Sequence, residues 1–398
     1  MSAASMEHTN GEVRTDTPLL VIGAGPYGLA TAAYARRVGI EPLVVGQPMA
    51  FWRDSMPSGM FLRSGADWHL DASREHTLVA YFEERGIDPD DIDPIPVGLF
   101  IEYATWFQER AGVEVLPDMV RDLTRKDGRF EATLQSGRRV SADTVVAAPG
   151  ITHFTVVPEW VEESLSAGHW SHTSTMVNFE RLRGSRVLII GGRQSAFEWA
   201  ALLADEGADA IHVVHRHDPP DFAPADWSFV DGLMELTATI PGWFRNLPAE
   251  EREAIAGRFW AEGRLKLEPW LTPRLEKPCV HRWPRAYVRR CKELTDGRIE
   301  VELSNETRLV IDHVILATGY KTDMTKVPYL AGVLDEMELA DGFPALDEHF
   351  QSSVPGLFIT GFPATRDFGP FFGLVRGCPV AATLTVAGLN QVLDRVPA

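Results

Sequence analysis

Short β-branched runs ending in small residues recur along the chain, and each leads into a stretch with helical spacing. Residues 19–22 (Leu-Leu-Val-Ile) read as a buried parallel strand, because four apolar positions in succession leave no face for water. Gly23, Gly25 and Gly28 follow, then a helical stretch closed by Gly39, then a second strand over residues 41–45. The plan repeats with a strand at residues 186–190, small residues at Gly191, Gly192 and Ala196, a helix over 195–204 and a strand over 210–214. Two more buried runs, 144–150 and 314–320, end in small-residue turns, and each follows alternating residues that predict a β meander (130–140 and 298–311). Residues 343–361 predict a return strand and 375–393 a closing helix. The fold class is therefore α/β, with two Rossmann-like dinucleotide-binding domains, the second inserted in the first. Residues 17–160 and 330–398 are expected to form the first domain and 180–329 the second. Residues 160–180 are read as the outbound linker, 218–290 as an insertion, and 1–16 as a disordered tail.

The residue types at the two turns suit phosphate. In Gly23-Ala24-Gly25-Pro26-Tyr27-Gly28 the first glycine allows the tight turn and the second lets bare backbone approach a pyrophosphate. Gly28 lets the helix pack close to its strand, and the helix N-terminus offers free amides and a positive dipole end. One position departs from the pattern. Gly46 and Gln47 stand where a carboxylate would bond the adenosine ribose, so a Gln47 amide would hold that ribose more weakly. In the second motif, Gly191-Gly192-Arg193-Gln194-Ser195-Ala196, Arg193 replaces the middle glycine and can bond a phosphate directly. The strand after it ends in His215-Arg216-His217, and Arg216 favours the 2′-phosphate of NADPH over the diol of NADH. A metal pair at the two histidines is rejected for want of neighbouring ligands. Two dinucleotide sites in one chain point to hydride transfer between their occupants.

Composition narrows the setting. A net charge of −18 argues against nucleic acid or an anionic membrane surface as partner. No apolar run approaches the ~20 residues of a membrane helix. Three cysteines, Cys279, Cys291 and Cys378, form no disulfide framework and fit a reducing compartment, so a cytoplasmic location is expected.

Over nearly its whole length the chain resembles the two-dinucleotide-binding-domain flavoproteins: both fingerprints, both strand-turn closures and the stretch 341–361 fall in matching order. The resemblance implies FAD in the first site and NAD(P)H in the second, with Gly150, Thr318, Gly319 and Tyr320 in turns beside the cofactors. Three features resemble the flavin-containing and N-hydroxylating monooxygenases. No Cys-x-x-Cys pair is present, Ala317-Thr318-Gly319-Tyr320 matches their ATGY element, and Trp170-Ser171-His172-Thr173-Ser174 is similar to their histidine-containing linker. The segment Phe51-Trp52-Arg53-Asp54 through Ser64 resembles their flavin-proximal loop, with Trp52 either covering the ring or packed in the core. His172 and Arg63 are then the candidates to act on a flavin adduct or the nicotinamide, a purely structural histidine being the alternative. Gly361 and Phe372 belong to the C-terminal segment that faces the flavin in that family; Gly361-Phe362 lacks the acidic residue of the reductases. The implied reaction consumes NAD(P)H and O2 and inserts one oxygen atom into a small organic substrate through a C4a-hydroperoxyflavin. Two alternatives stay open: an NADPH-dependent reductase without oxygen insertion, and a non-catalytic dinucleotide-binding protein. The aromatic-rich insertion is read as a substrate pocket wall, a helical hairpin with its own core, or the surface of a homodimer.

Overall fold

The computed structural model describes residues 6–9 and 12–394. Strands Pro42–Val45, Glu12–Ile22, Arg139–Ala147 and Leu357–Ile359 run parallel in one sheet, flanked by the short strand Val115–Leu116. Arg139–Ala147 is shared: its first half pairs antiparallel with Arg129–Leu134, which pairs with Val120–Lys126 to complete the expected meander. The parallel strands carry the apolar runs, and Leu19, Leu20, Val21, Val145 and Val146 are fully buried. A second, all-parallel sheet takes the order Val280–Pro284, Ala210–His215, Arg186–Ile190, His313–Leu316, Trp170–His172. A separate antiparallel sheet of Val288–Glu293, Ile299–Leu303 and Arg308–Ile311 makes the second meander.

Three boundaries differ from expectation. The tail is not wholly irregular: Met6–Thr9 and Glu12–Ile22 form an antiparallel pair, and residues 14–17 lie in register beside residues 139–142, because the ladder extends past the apolar core. Residues 1–5 and 10–11 of that expected tail lie outside the described residues. The linker supplies an edge strand, Trp170–His172, whose partner is Val314–Leu316. The end of the insertion, Val280–Pro284, is the opposite edge strand, so only residues up to about 279 stand outside the sheets.

The insertion folds as short helices, Val230–Thr239, Trp243–Asn246, Ala249–Arg258 and Thr272–Leu275, with a single π-helical turn at Phe259–Arg264. It has no separate core. Val230, Met234, Phe244 and Phe259 pack with Phe368, Phe371 and Phe372 of the C-terminal segment, whereas Leu267, Leu271 and Leu275 join the core beneath the second fingerprint helix. Among the described residues, no helix is long and apolar enough to cross a membrane.

Candidate dinucleotide sites

The two glycine turns are built alike, hydrogen bond for hydrogen bond. Gly23 N donates to Val45 O (2.9 Å) and Ala148 N to Ile22 O (2.8 Å). In the second unit Gly191 N donates to Val214 O (3.0 Å) and Ala317 N to Ile190 O (2.8 Å). A Cβ on Gly23 would stand 2.3 Å from Ala148 O, and one on Gly191 would stand 2.4 Å from Ala317 O. Each turn thus presses against the small-residue end of a neighbouring strand, which is why alanine follows both buried runs. Beyond the turns, helices Pro26–Arg37 and Gln194–Glu206 begin with no acidic residue in the first turn, so nothing in those turns competes with a bound phosphate.

At the first site a Cβ on Gly25 would meet nothing within 4 Å, leaving open space above the backbone where a pyrophosphate would lie. Nearby, Thr360 is fully buried and its hydroxyl has no partner, a polar group that suits a ligand. Pro26 opens the helix, and Gly361, with φ +82°, lies against the Tyr27 ring. The Tyr27 hydroxyl shares its proton between Phe372 O (2.6 Å) and Leu374 O (2.7 Å), tying the fingerprint helix to the segment before helix Cys378–Leu393; burial pushes its pKa well up. Phe372 itself is fully buried among Phe350, Phe368 and Phe371, so it supports the site from behind. Gln47 is exposed and its Nε2 donates one N–H to Pro117 O (3.1 Å), leaving its carbonyl oxygen and second N–H free. Trp52 lies half-buried, 4.6 Å from the Phe100 ring, while Arg53 is exposed and bound to Asp54 and Pro48 O. Gly150, at φ +68°, turns the chain just past strand Arg139–Ala147.

At the second site Gly192 abuts His215, where an added Cβ would come within 2.6 Å of the histidine Cβ and 2.8 Å of its ring. Ser195 and Gln194 open the helix. Arg193, Arg216, His217, Lys266 and Arg285 line an open cleft of about 600 Å³. Lys266 is paired with Glu262 (3.0 Å) and Arg285 with Asp218 (2.5 Å), whereas neither Arg193 nor Arg216 has a carboxylate partner among the described residues. Burial lowers the pKa of both His215 and His217, keeping them neutral beside these cations.

His172 and Tyr320 meet where the linker strand borders the ATGY turn, ring centroids 5.3 Å apart. Ser174 N donates to His172 Nδ1 (3.2 Å), so the proton resides on Nε2, which is buried without a partner; burial lowers this histidine's pKa and keeps it neutral. Burial pushes Tyr320 up to about 12. Val156 N donates to Gly319 O (3.0 Å) and the Thr318 hydroxyl to Val156 O, so the turn is fixed to the chain entering the linker.

Arg63 is held by the insertion. Its Nε binds Glu268 (2.8 Å), and its Nη2 donates to Gly263 O (2.8 Å) and Lys266 O (2.9 Å). Glu268 N in turn donates to Gln194 Oε1 (3.1 Å), and Glu198 on the same helix accepts from Phe61 N (3.4 Å). Pattern reading missed Glu198, which is 1% exposed; burial raises its carboxyl to about 7 against the bonds from Phe61 N and Gln194. Its position four residues after Gln194, on an otherwise apolar helix face, is the signal that could have found it. Trp227 Nε1 completes the cluster by donating to Arg63 O (2.9 Å). The loop of Phe61 and Arg63, the insertion and the second fingerprint helix are thus joined by one polar chain.

Comparison with known proteins agrees with this architecture. An FAD-dependent urate hydroxylase of Xanthomonas campestris is 26% identical over 330 residues, 73% of this chain and 66% of that protein. A ferredoxin–NADP reductase of Thermus thermophilus is 25% identical over 353 residues, 87% of this chain and 84% of its own. The structure of a Kutzneria ornithine N-hydroxylase, solved with reduced FAD, NADP+ and L-ornithine, superposes with a TM-score of 0.78 at 16% identity; 94% of this chain and 99% of that one are covered. The chain spans just under two thirds of the urate hydroxylase. The profile of one family matches residues 17–227, from the first parallel strand through the second fingerprint. With both glycine turns in place, the chain belongs to the pyridine nucleotide-disulphide oxidoreductase family, an FAD- and NAD(P)H-dependent group of oxidoreductases.

Proposed function

We propose that this protein is an FAD-dependent monooxygenase that consumes NADPH and inserts one atom of O2 into a small nitrogen, sulfur, carbonyl or heteroaromatic substrate. One observation carries the reading within this family: the chain has no dithiol through which electrons could leave. Its three cysteines are free, Cys378 is buried, and no two are spaced as Cys-x-x-Cys. Resemblance of the fold to an ornithine N-hydroxylase and of the sequence to a urate hydroxylase points the same way. When bound, FAD supplies acceptance of hydride and activation of O2.

In this reading residues 17–160 and 330–398 hold FAD, and 180–329 hold the nicotinamide dinucleotide. Amides at the start of helix Pro26–Arg37 take the FAD pyrophosphate over the open backbone of Gly25. The N-terminus of helix Cys378–Leu393 gives its positive dipole end to the flavin pyrimidine. With no carboxylate at Gly46 and a neutral amide, half engaged by Pro117 O, at Gln47, the adenosine ribose is held weakly, so FAD is expected to dissociate during purification. Arg193 and Arg216, the cations of the cleft without carboxylate partners, take the 2′-phosphate and select NADPH over NADH. His172 presents a neutral Nε2–H beside the ATGY turn, and Arg63 acts as a positioning residue through Glu268.

The match to a ferredoxin–NADP reductase favours one competing reading, electron delivery to a protein or quinone acceptor without oxygen insertion. The two separate in one experiment. FAD-reconstituted protein is given NADPH and ¹⁸O2 with a panel of primary amines, thioethers, ketones and N-heteroaromatics. A product carrying one labelled oxygen is the expected result. Release of peroxide alone across the panel, with fast reduction of ferredoxin or a quinone, overturns the monooxygenase reading.

A further inference from the structure

We infer that Trp260 of the insertion and Arg193 of the second fingerprint together form the platform on which the adenine of the nicotinamide dinucleotide stacks. This rests on the second glycine turn being the NADPH site. It assigns the π-helical turn to cofactor recognition, where pattern reading left the aromatic segment open between a substrate pocket wall, a helical hairpin and a dimer surface.

The Arg193 guanidinium lies 5.8 Å from the centroid of the Trp260 ring. No acceptor holds it among the described residues, although burial lowers its pKa, so it is partly desolvated without an anion. Trp260 is 46% exposed, an unusual state for the largest apolar side chain in a protein of this size. A guanidinium plane and an indole beside each other suit a flat π system bearing phosphates: the base takes the stacking and the phosphate takes the charge.

The surroundings fit the rest of an adenosine 2′-phosphate. Ala261, next to Trp260 in the chain, and Leu265, five residues beyond it, line the same cleft as Arg193, Arg216 and Arg285. Leu265 N donates to Trp260 O (2.8 Å), which closes the turn that carries the indole. Phe259 and Trp260 both lie in the π-helical turn Phe259–Arg264. One wider turn keeps Phe259 in the core at 3% exposure while its neighbour Trp260 faces solvent. Behind it, Arg63 accepted by Gly263 O and Lys266 O anchors the turn to the flavin-proximal loop. Adenine recognition is thereby tied mechanically to the flavin side of the molecule.

Calorimetric titration with 2′,5′-ADP and with 5′-AMP tests the inference without turnover. Trp260→Ala is expected to weaken both ligands by the same factor, on the order of tenfold, because both carry the base. Trp260→Phe should retain most of the affinity and, by its unfolding midpoint, reports whether the turn still folds. Arg216→Ala should weaken 2′,5′-ADP and leave 5′-AMP unchanged. Unchanged affinity for both ligands in Trp260→Ala, with Arg216→Ala still selective, overturns the platform alone. Failure of the parent protein to bind either ligand overturns the assignment of the site.

Discussion

At the scale of single residues, the same amino acid is required for opposite reasons three positions apart. Gly25 has φ −84°, which any residue adopts, and a Cβ there would meet nothing; in the proposed reading only an incoming pyrophosphate demands glycine. Gly28 is demanded by the fold, since its Cβ would lie 1.8 Å from Gly23 O. Gly25→Ala is therefore expected to unfold within about 0.5 kcal/mol of the parent while losing FAD affinity by about tenfold or more. Gly28→Ala should destabilise by roughly 1–3 kcal/mol or more even without cofactor. Thermal unfolding of the apoproteins with FAD titration separates the two. Glu198 makes a pH prediction. Its folded carboxyl keeps its proton up to about 7, against 4.5 for the ordinary group, so the folded state binds protons more tightly than the unfolded one. Stability from this residue is full below about pH 4.5 and falls as pH rises to 7, by at most ~3 kcal/mol. Glu198→Gln keeps the acceptor for Phe61 N and should be flatter with pH than the parent across that window. Parallel unfolding curves for the two proteins would refute the assignment.

At the scale of elements, the strands and fingerprint helices were legible because their signals are local: a run of β-branched residues, a glycine spacing, a helical stretch. The strands at 186–190 and 210–214 came out nearly as read, and 19–22 forms the end of a longer strand, Glu12–Ile22. Strand Trp170–His172 was hidden because three residues carry no periodicity, and Val280–Pro284 because His281, Arg282 and Pro284 interrupt any apolar pattern at a sheet edge. The partners of Arg63 were hidden for a related reason. Sequence gives an arginine near a flavin loop, whereas its three acceptors come from a helical segment some 200 positions away that no spacing could announce. The side chains of Arg63 and Glu268 are 13% and 7% exposed, so removing one leaves the other charge buried. Arg63→Ala is expected to cost about 3–5 kcal/mol, and the double change with Glu268→Gln less than the sum of the two single changes. Denaturant midpoints of the four proteins complete the cycle; strict additivity would mean the pair is not energetically coupled.

At the scale of the whole molecule, the charge distribution sets two forces on NADPH against each other. The chain carries a net charge of −18, which repels a polyanionic dinucleotide at long range, yet the cleft gathers Arg193, Arg216, Lys266 and Arg285. Two of those four are already offset by Glu262 and Asp218, so the cleft's surplus is small and acts only at short range. Ionic strength separates the ranges, because the screening length is about 30 Å at 0.01 M and about 8 Å at 0.15 M. At low salt an approaching NADPH meets the field of the entire protein; at physiological salt it meets the cleft alone. Its association rate should therefore rise with salt over this interval, on the order of two- to tenfold, the reverse of a steered encounter. The dissociation rate should rise as well, since contacts to Arg193 and Arg216 are themselves weakened. Stopped-flow binding of NADP+ at several salt concentrations measures both rates. An association rate that falls with salt would show that the cleft's cations, rather than the net charge, govern the approach. Arg216→Ala should then abolish that fall, while in the case expected here it should raise the dissociation rate and leave the slope of association with salt nearly unchanged.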